Sequence, residues 1–151
     1  MKLSQIVKIA YKEALKAKSY EEVPVGAVIF NNTDIISKAY NQVIRQGDHL
    51  AHAEILAIRK ATRKLKTISL RDYKIYTTLE PCLLCSYAIS KHLISTVYFG
   101  AYDIKNGNIE NGLRIFNSEY KGFRPEVYGG IGIEKSSILI KNFFKKVRKK
   151  S

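Results

Sequence analysis

Two short segments limit this chain more than anything else in it: Ala51-His52-Ala53-Glu54 and Pro81-Cys82-Leu83-Leu84-Cys85. Cys82 and Cys85 are the only cysteines. Two residues between them close a loop too tight for a structural staple. In a reducing compartment the spacing points to metal binding or redox chemistry. One histidine with two cysteines is a three-ligand set of the kind found in catalytic zinc sites, where the fourth position stays open for water. Such a site forms only if folding brings His52 to the cysteine pair. Parallel sheets do this readily, because the C-terminal ends of neighbouring strands meet at one edge.

The rest of the chain fits that demand. Apolar residues at Ile6, Val7, Ala10, Tyr11, Ala14 and Leu15 predict a helix over 4–18, with Ser4 as a plausible cap. Pro24 to Phe30 and Ile35 to Asn41 are expected strands around the turn Asn31-Asn32-Thr33-Asp34. A polar loop over 42–49 and a helix over 51–65 follow. Next come a strand over 74–79 and a helix to about residue 91 with Pro81 at its first position. A strand over 94–100 leads into a loop over 102–111, a short strand over 126–129 and a last helix over 133–148, whose apolar positions Ile138, Leu139, Phe143, Phe144 and Val147 are expected to hold it to the core with its charges in solvent. Helices between strands imply parallel crossovers after an antiparallel hairpin. The expected architecture is α/β: one three-layer α/β/α domain over 1–151, with a mixed sheet of about five strands and a basic tail at about 141–151.

Each motif has a plain alternative. Cys82-x-x-Cys85 alone suits a thioredoxin-like redox pair, His52 alone an ordinary histidine, and Glu54 alone an acid favoured at a helix start. Combined, each opening a helix, they point to one zinc ion per chain held by His52, Cys82 and Cys85. Cys82 and Cys85 are three apart, so one helical turn puts both sulfurs on one face. Zinc lowers the pKa of a bound water from about 15.7 to about 7. Glu54, two residues past His52, converges on the same site only if His52 stands at the very start of its helix. A carboxylate beside such a water carries protons, which makes Glu54 the candidate catalytic acid/base. A closed structural zinc site would need a fourth ligand, and only His49 and His92 remain.

Charge narrows the substrate. Lys and Arg number 26 against 13 Asp and Glu, a net +13, with pI ≈ 9.7. The last eleven residues hold six basic side chains and no acidic one. An excess of this size favours a polyanionic partner, and nucleic acid is the commonest. A solubilising surface is the other reading. No apolar run approaches the roughly 20 residues of a membrane span. No apolar leader follows Met1-Lys2-Leu3, so a cytoplasmic location is expected.

The pattern H-x-E then P-C-x-x-C is the signature of zinc-dependent nucleobase deaminases. The chain resembles the bacterial tRNA-specific adenosine deaminases of the cytidine/deoxycytidylate deaminase superfamily. The likeness runs through Glu22-Val-Pro-Val-Gly-Ala-Val28, Asn41, Ala51-His-Ala-Glu-Ile55, Thr78-Leu-Glu-Pro-Cys82, Phe99-Gly-Ala-Tyr-Asp103, Lys105, Gly107 and Phe143-Phe144. It implies the cytidine-deaminase-like fold and hydrolysis of the wobble adenosine of an anticodon to inosine. It also implies an arginine tRNA as partner and a homodimer. It assigns nucleotide contacts to Asn41 and Asp103, one suited to an adenine edge and the other to a ribose hydroxyl. The chain departs from the family at Leu84, Tyr87, Asn108-Ile-Glu-Asn111 and Gly122-Phe123. Deaminases of a free base or nucleoside, such as guanine or cytosine, share the zinc signature. They have no need of a +13 surface.

Overall fold

The computed structural model describes residues 1–150; Ser151, the end of the expected tail, and the Lys150 side chain lie outside what is described. The elements run α1 (Leu3–Ser19), β1 (Gly26–Phe30), β2 (Ile35–Tyr40), α2 (Val43–Gln46), α3 (Ala53–Leu65), β3 (Lys74–Leu79), α4 (Leu83–Lys91), β4 (Thr96–Ala101), β5 (Glu126–Tyr128) and α5 (Ile133–Lys150). The sheet order is β2-β1-β3-β4-β5. β1 pairs antiparallel with both β2 and β3, while β3–β4 and β4–β5 are parallel. β1 therefore runs alone against four strands that share one direction. The expected three layers and mixed sheet are what the chain forms.

Strand alternation separates two cores, because successive side chains point to opposite faces. On one face Ala27, Ile29, Ile75, Val97 and Phe99 pack with Leu56, Ala57, Ile58 and Ala61 of α3 and Ile89 of α4. On the other, Val28, Phe30 and Tyr76 pack with Ile6 and Ala10 of α1. All five residues of β1 are buried, as a strand covered on both faces requires. α1 lies almost directly on that strand. A Cβ on Gly26 would stand 2.0 Å from the Ala10 carbonyl oxygen. No other residue leaves room for this approach.

Three expectations are corrected. Gln42 to His49 is not wholly loop, since it contains the single turn α2, closed by Gly47 at φ 57°. α4 does not begin at Pro81. Cys82 is extended (φ −72°, ψ 176°) and is the N-cap, so the first helical residue is Leu83. The apolar positions of α5 do not all enter the core. Leu139 is buried, but Ile138, Phe144 and Val147 are 60%, 41% and 46% exposed. The end of this helix extends past the sheet, leaving Lys141, Lys145, Lys146, Arg148 and Lys149 exposed. Among the described residues, no helix is long and apolar enough to cross a membrane.

Candidate active site

β2, β3 and β4 point the same way, so the segments leaving them emerge at one edge of the sheet. The segment after β2 carries Asn41 and reaches His52, the N-cap of α3 in extended conformation (φ −72°, ψ 149°). The segment after β3 carries Glu80 and Cys82, and α4 carries Cys85. The segment after β4 carries Asp103. Residues remote in sequence thereby line a single cavity of about 700 Å³. Its walls include Asn41, His52, Glu54, Cys82 and Asp103, with Phe143 and Phe144 of α5. Cys85 lies behind this surface and is fully buried.

His52 Nδ1 lies 3.5 Å from Cys82 Sγ and 3.4 Å from Cys85 Sγ. The three ligand atoms all fall within 4.8 Å of one another. A tetrahedral ion with Zn–S of about 2.3 Å and Zn–N of about 2.0 Å sets N···S separations of about 3.5 Å. The donor set and its spacing therefore fit zinc. Among the described residues this is the only such cluster of His, Cys, Asp and Glu, and Glu54 is not part of it. One ion is what the three residues are placed to hold.

The electrostatics of the cluster suit a cation. Cys82 is lowered to about 4, first because Cys85 hydrogen-bonds to its sulfur and then because His52 does. Cys85, as the partner of that thiolate and buried, is raised well above the ordinary thiol range. His52 is raised, chiefly by its hydrogen bond to Cys82. Both sulfurs ligate a metal as thiolates, and of the two the Cys85 proton is the harder to remove. A metal must displace that proton, so its uptake strengthens as pH rises.

Because His52 is the cap, Glu54 occupies only the second helical position and points into the same cavity. Its carboxyl is buried, 5% exposed. It is raised to about 7, first by desolvation and then by the negative charge of Cys82. A carboxyl poised there can accept and return a proton at neutral pH.

Asn41 is 8% exposed. Its Nδ2 donates to the Val23 carbonyl at 3.3 Å, and its Oδ1 has no partner. One of the two amide N–H groups is engaged, and the unpartnered Oδ1 is an acceptor offered to the cavity. Asp103 turns its Oδ1 to the N–H groups of Lys105 (3.2 Å) and Asn106 (3.0 Å), which shapes the loop it begins.

Two carboxylates that sequence reasoning did not single out build the walls. Glu22 is 1% exposed, and its oxygens accept from the N–H groups of Ile44 (3.0 Å) and Arg45 (2.7 Å), so it caps α2. Glu80, 2% exposed, accepts five hydrogen bonds from residues 103–111. Phe143 and Phe144, expected in the core of the last helix, face the cavity instead.

The family model described as "Cytidine and deoxycytidylate deaminase zinc-binding region" matches residues 1–101, two thirds of the chain. The chain belongs to that deaminase family. A tRNA-specific adenosine deaminase of Rickettsia bellii is 48% identical over 141 residues, covering 92% of this chain and 97% of that protein. One of Aquifex aeolicus is 42% identical, covering 94% and 93%. A solved structure from a study of A-to-I editing by tRNA:A34 deaminases superposes with a TM-score of 0.87 at 36% identity. It covers 90% of this chain and 99% of its own. A guanine deaminase of Bacillus subtilis is 35% identical over 68% of this chain, with a TM-score of 0.64. The tRNA:A34 deaminase structure thus matches more of the chain than the segment over 1–101.

Proposed function

We propose that this member of the deaminase family hydrolyses adenosine to inosine at the wobble position of a tRNA anticodon. The observation that carries the reading is likeness at nearly full length in both directions to proteins named tRNA-specific adenosine deaminases. The guanine deaminase matches only about two thirds of either chain. The +13 charge points the same way, since a free base offers it nothing to neutralise. We extend the proposal to a single domain over 1–151, a cytoplasmic homodimer and an arginine tRNA, which the family resemblance supports.

His52, Cys82 and Cys85 hold the zinc, which when bound supplies an acidified water for hydrolysis at neutral pH. Glu54 takes a proton and returns it to the base, in keeping with its burial and raised pKa. Asn41 offers its unpartnered Oδ1 to the nucleotide. Asp103, with one oxygen occupied by its own loop, turns the other to a ribose hydroxyl. Phe143 and Phe144 give the entrance apolar faces on which unstacked bases can lie.

The test is inosine formation on an anticodon stem-loop with adenosine at the wobble position, beside ammonia release from free guanine and cytosine. Inosine in the stem-loop is the expected product. Ammonia from a free base with the stem-loop untouched would overturn the reading.

Removing Lys145 and Lys146 together, as alanines, is expected to weaken tRNA binding and flatten its salt dependence. Each lost phosphate contact lowers the slope by about 0.7–0.9 units of log K per log salt. Affinity measured at several salt concentrations checks this, and an unchanged slope would leave these lysines merely solvated.

A further inference from the structure

Glu80 is a buried carboxylate whose two oxygens are fully engaged by N–H donors. Oε1 accepts from the Asp103 N–H (3.0 Å) and from Asn111 Nδ2 (2.6 Å). Oε2 accepts from the N–H groups of Ile109 (3.2 Å), Glu110 (2.8 Å) and Asn111 (3.0 Å). A carboxylate has about four lone-pair sites, so these five donors saturate it. It cannot also ligate a metal without releasing the loop. Two further bonds tie the same segments together: Glu80 N–H to the Ala101 carbonyl (2.8 Å) and Asn108 N–H to the Pro81 carbonyl (3.1 Å).

Gly107 supplies an independent observation. A Cβ there would lie 2.5 Å from Glu80 Cδ and 2.6 Å from Oε1. Gly107 is not among the residues of positive φ. What excludes a side chain is contact with the carboxylate and, equally close at 2.5 Å, with the Asp103 carbonyl oxygen.

We propose that Glu80 is a positioning residue for the deamination reaction. By gripping backbone amides at both ends of the loop over 103–111, it fixes that loop against the segment bearing Cys82. The side chains of Asp103, Lys105, Asn106 and Asn108, which line the cavity, are thereby held at a set distance from the metal site. The inference rests on the proposed tRNA reading for its catalytic half only. The anchoring half concerns the chain itself.

Glu80→Gln keeps the shape but replaces one acceptor oxygen with an NH₂ that faces N–H donors in either orientation. The loop is expected to loosen while zinc stays at one equivalent. A misplacement of about 1 Å near the chemistry can cost about 10²-fold. We therefore expect kcat/KM on the stem-loop to fall about 10–100-fold, with a rise in KM carrying much of it. Amide exchange over 103–111 should accelerate with that over β3 and α3 unchanged. Asn111→Asp in the Glu80→Gln background gives the new NH₂ an acceptor and should restore part of both. Gly107→Ala, which crowds both the carboxylate and the carbonyl of Asp103, whose N–H that carboxylate holds, should reproduce the loosening if Glu80→Gln does not fold.

Unchanged loop exchange, or unchanged kcat/KM with a loosened loop, would overturn the proposal. So would loss of zinc in step with the loop, which would make Glu80 part of the metal site. Stem-loop inactivity of the unaltered protein would instead overturn the tRNA reading, and loop exchange would still decide the anchoring.

Discussion

Glu54→Gln is expected to abolish nearly all turnover of the stem-loop while leaving zinc at one equivalent and RNA affinity unchanged. The substitution keeps the volume of a side chain that is 5% exposed, so packing at the start of α3 is preserved. It removes the one cavity carboxyl raised to about 7. Glutamine accepts and donates hydrogen bonds but cannot take a proton and give it back. General acid/base groups contribute about 10²–10⁴-fold, and the loss in kcat should fall in that range. Since Glu54 is outside the cluster of ligand atoms, metal analysis separates its role from theirs. Zinc lost in this variant, or turnover near normal, would remove the assignment.

Cys82→Ser is expected to lose zinc, activity and stability at once. Cys82 is a helix N-cap without a side-chain capping hydrogen bond, and serine is among the favoured residues there. The substitution therefore does no harm to α4 as a helix, and any destabilisation reports the missing metal. Two ligands remain, His52 and Cys85, one fewer than the three that the cluster offers, and they make a poor site. Binding of a structural metal is folding free energy, so the melting temperature should drop and should no longer respond to added zinc. About one equivalent of zinc retained after dialysis would exclude Cys82 as a ligand.

The zinc cluster was legible because its chemistry is local and rare. An H-x-E and a C-x-x-C, each after an expected strand, leave few other arrangements. The sheet was legible from alternation and from the helices between strands. The walls of the cavity were not. Glu22 and Glu80 act on backbone N–H groups many residues away, and a backbone amide has no letter in a sequence. The α2 turn was hidden for the same reason, since the carboxylate that caps it comes from before β1. Phe143 and Phe144 fit a core stripe by periodicity, but spacing does not say what stands opposite a helix that outruns the sheet. The start of α4 was misplaced because Pro81 suits a first helical position equally well in principle; the extended backbone of Cys82 delays the helix by two residues.

The anchoring of both walls through amides has an evolutionary consequence. Glu110 gives Glu80 only its N–H, and gives Arg114 only its carbonyl oxygen. Ile44 and Arg45 likewise give Glu22 only N–H groups. Any residue but proline can supply these groups. Side chains at Ile44 and Glu110 are free to drift while the scaffold that presents them stays put, whereas that of Arg45 is also stacked on Tyr20. A lineage can thus retune what surrounds a bound nucleotide one substitution at a time, without refolding the rim and without disturbing the cysteine pair beneath it.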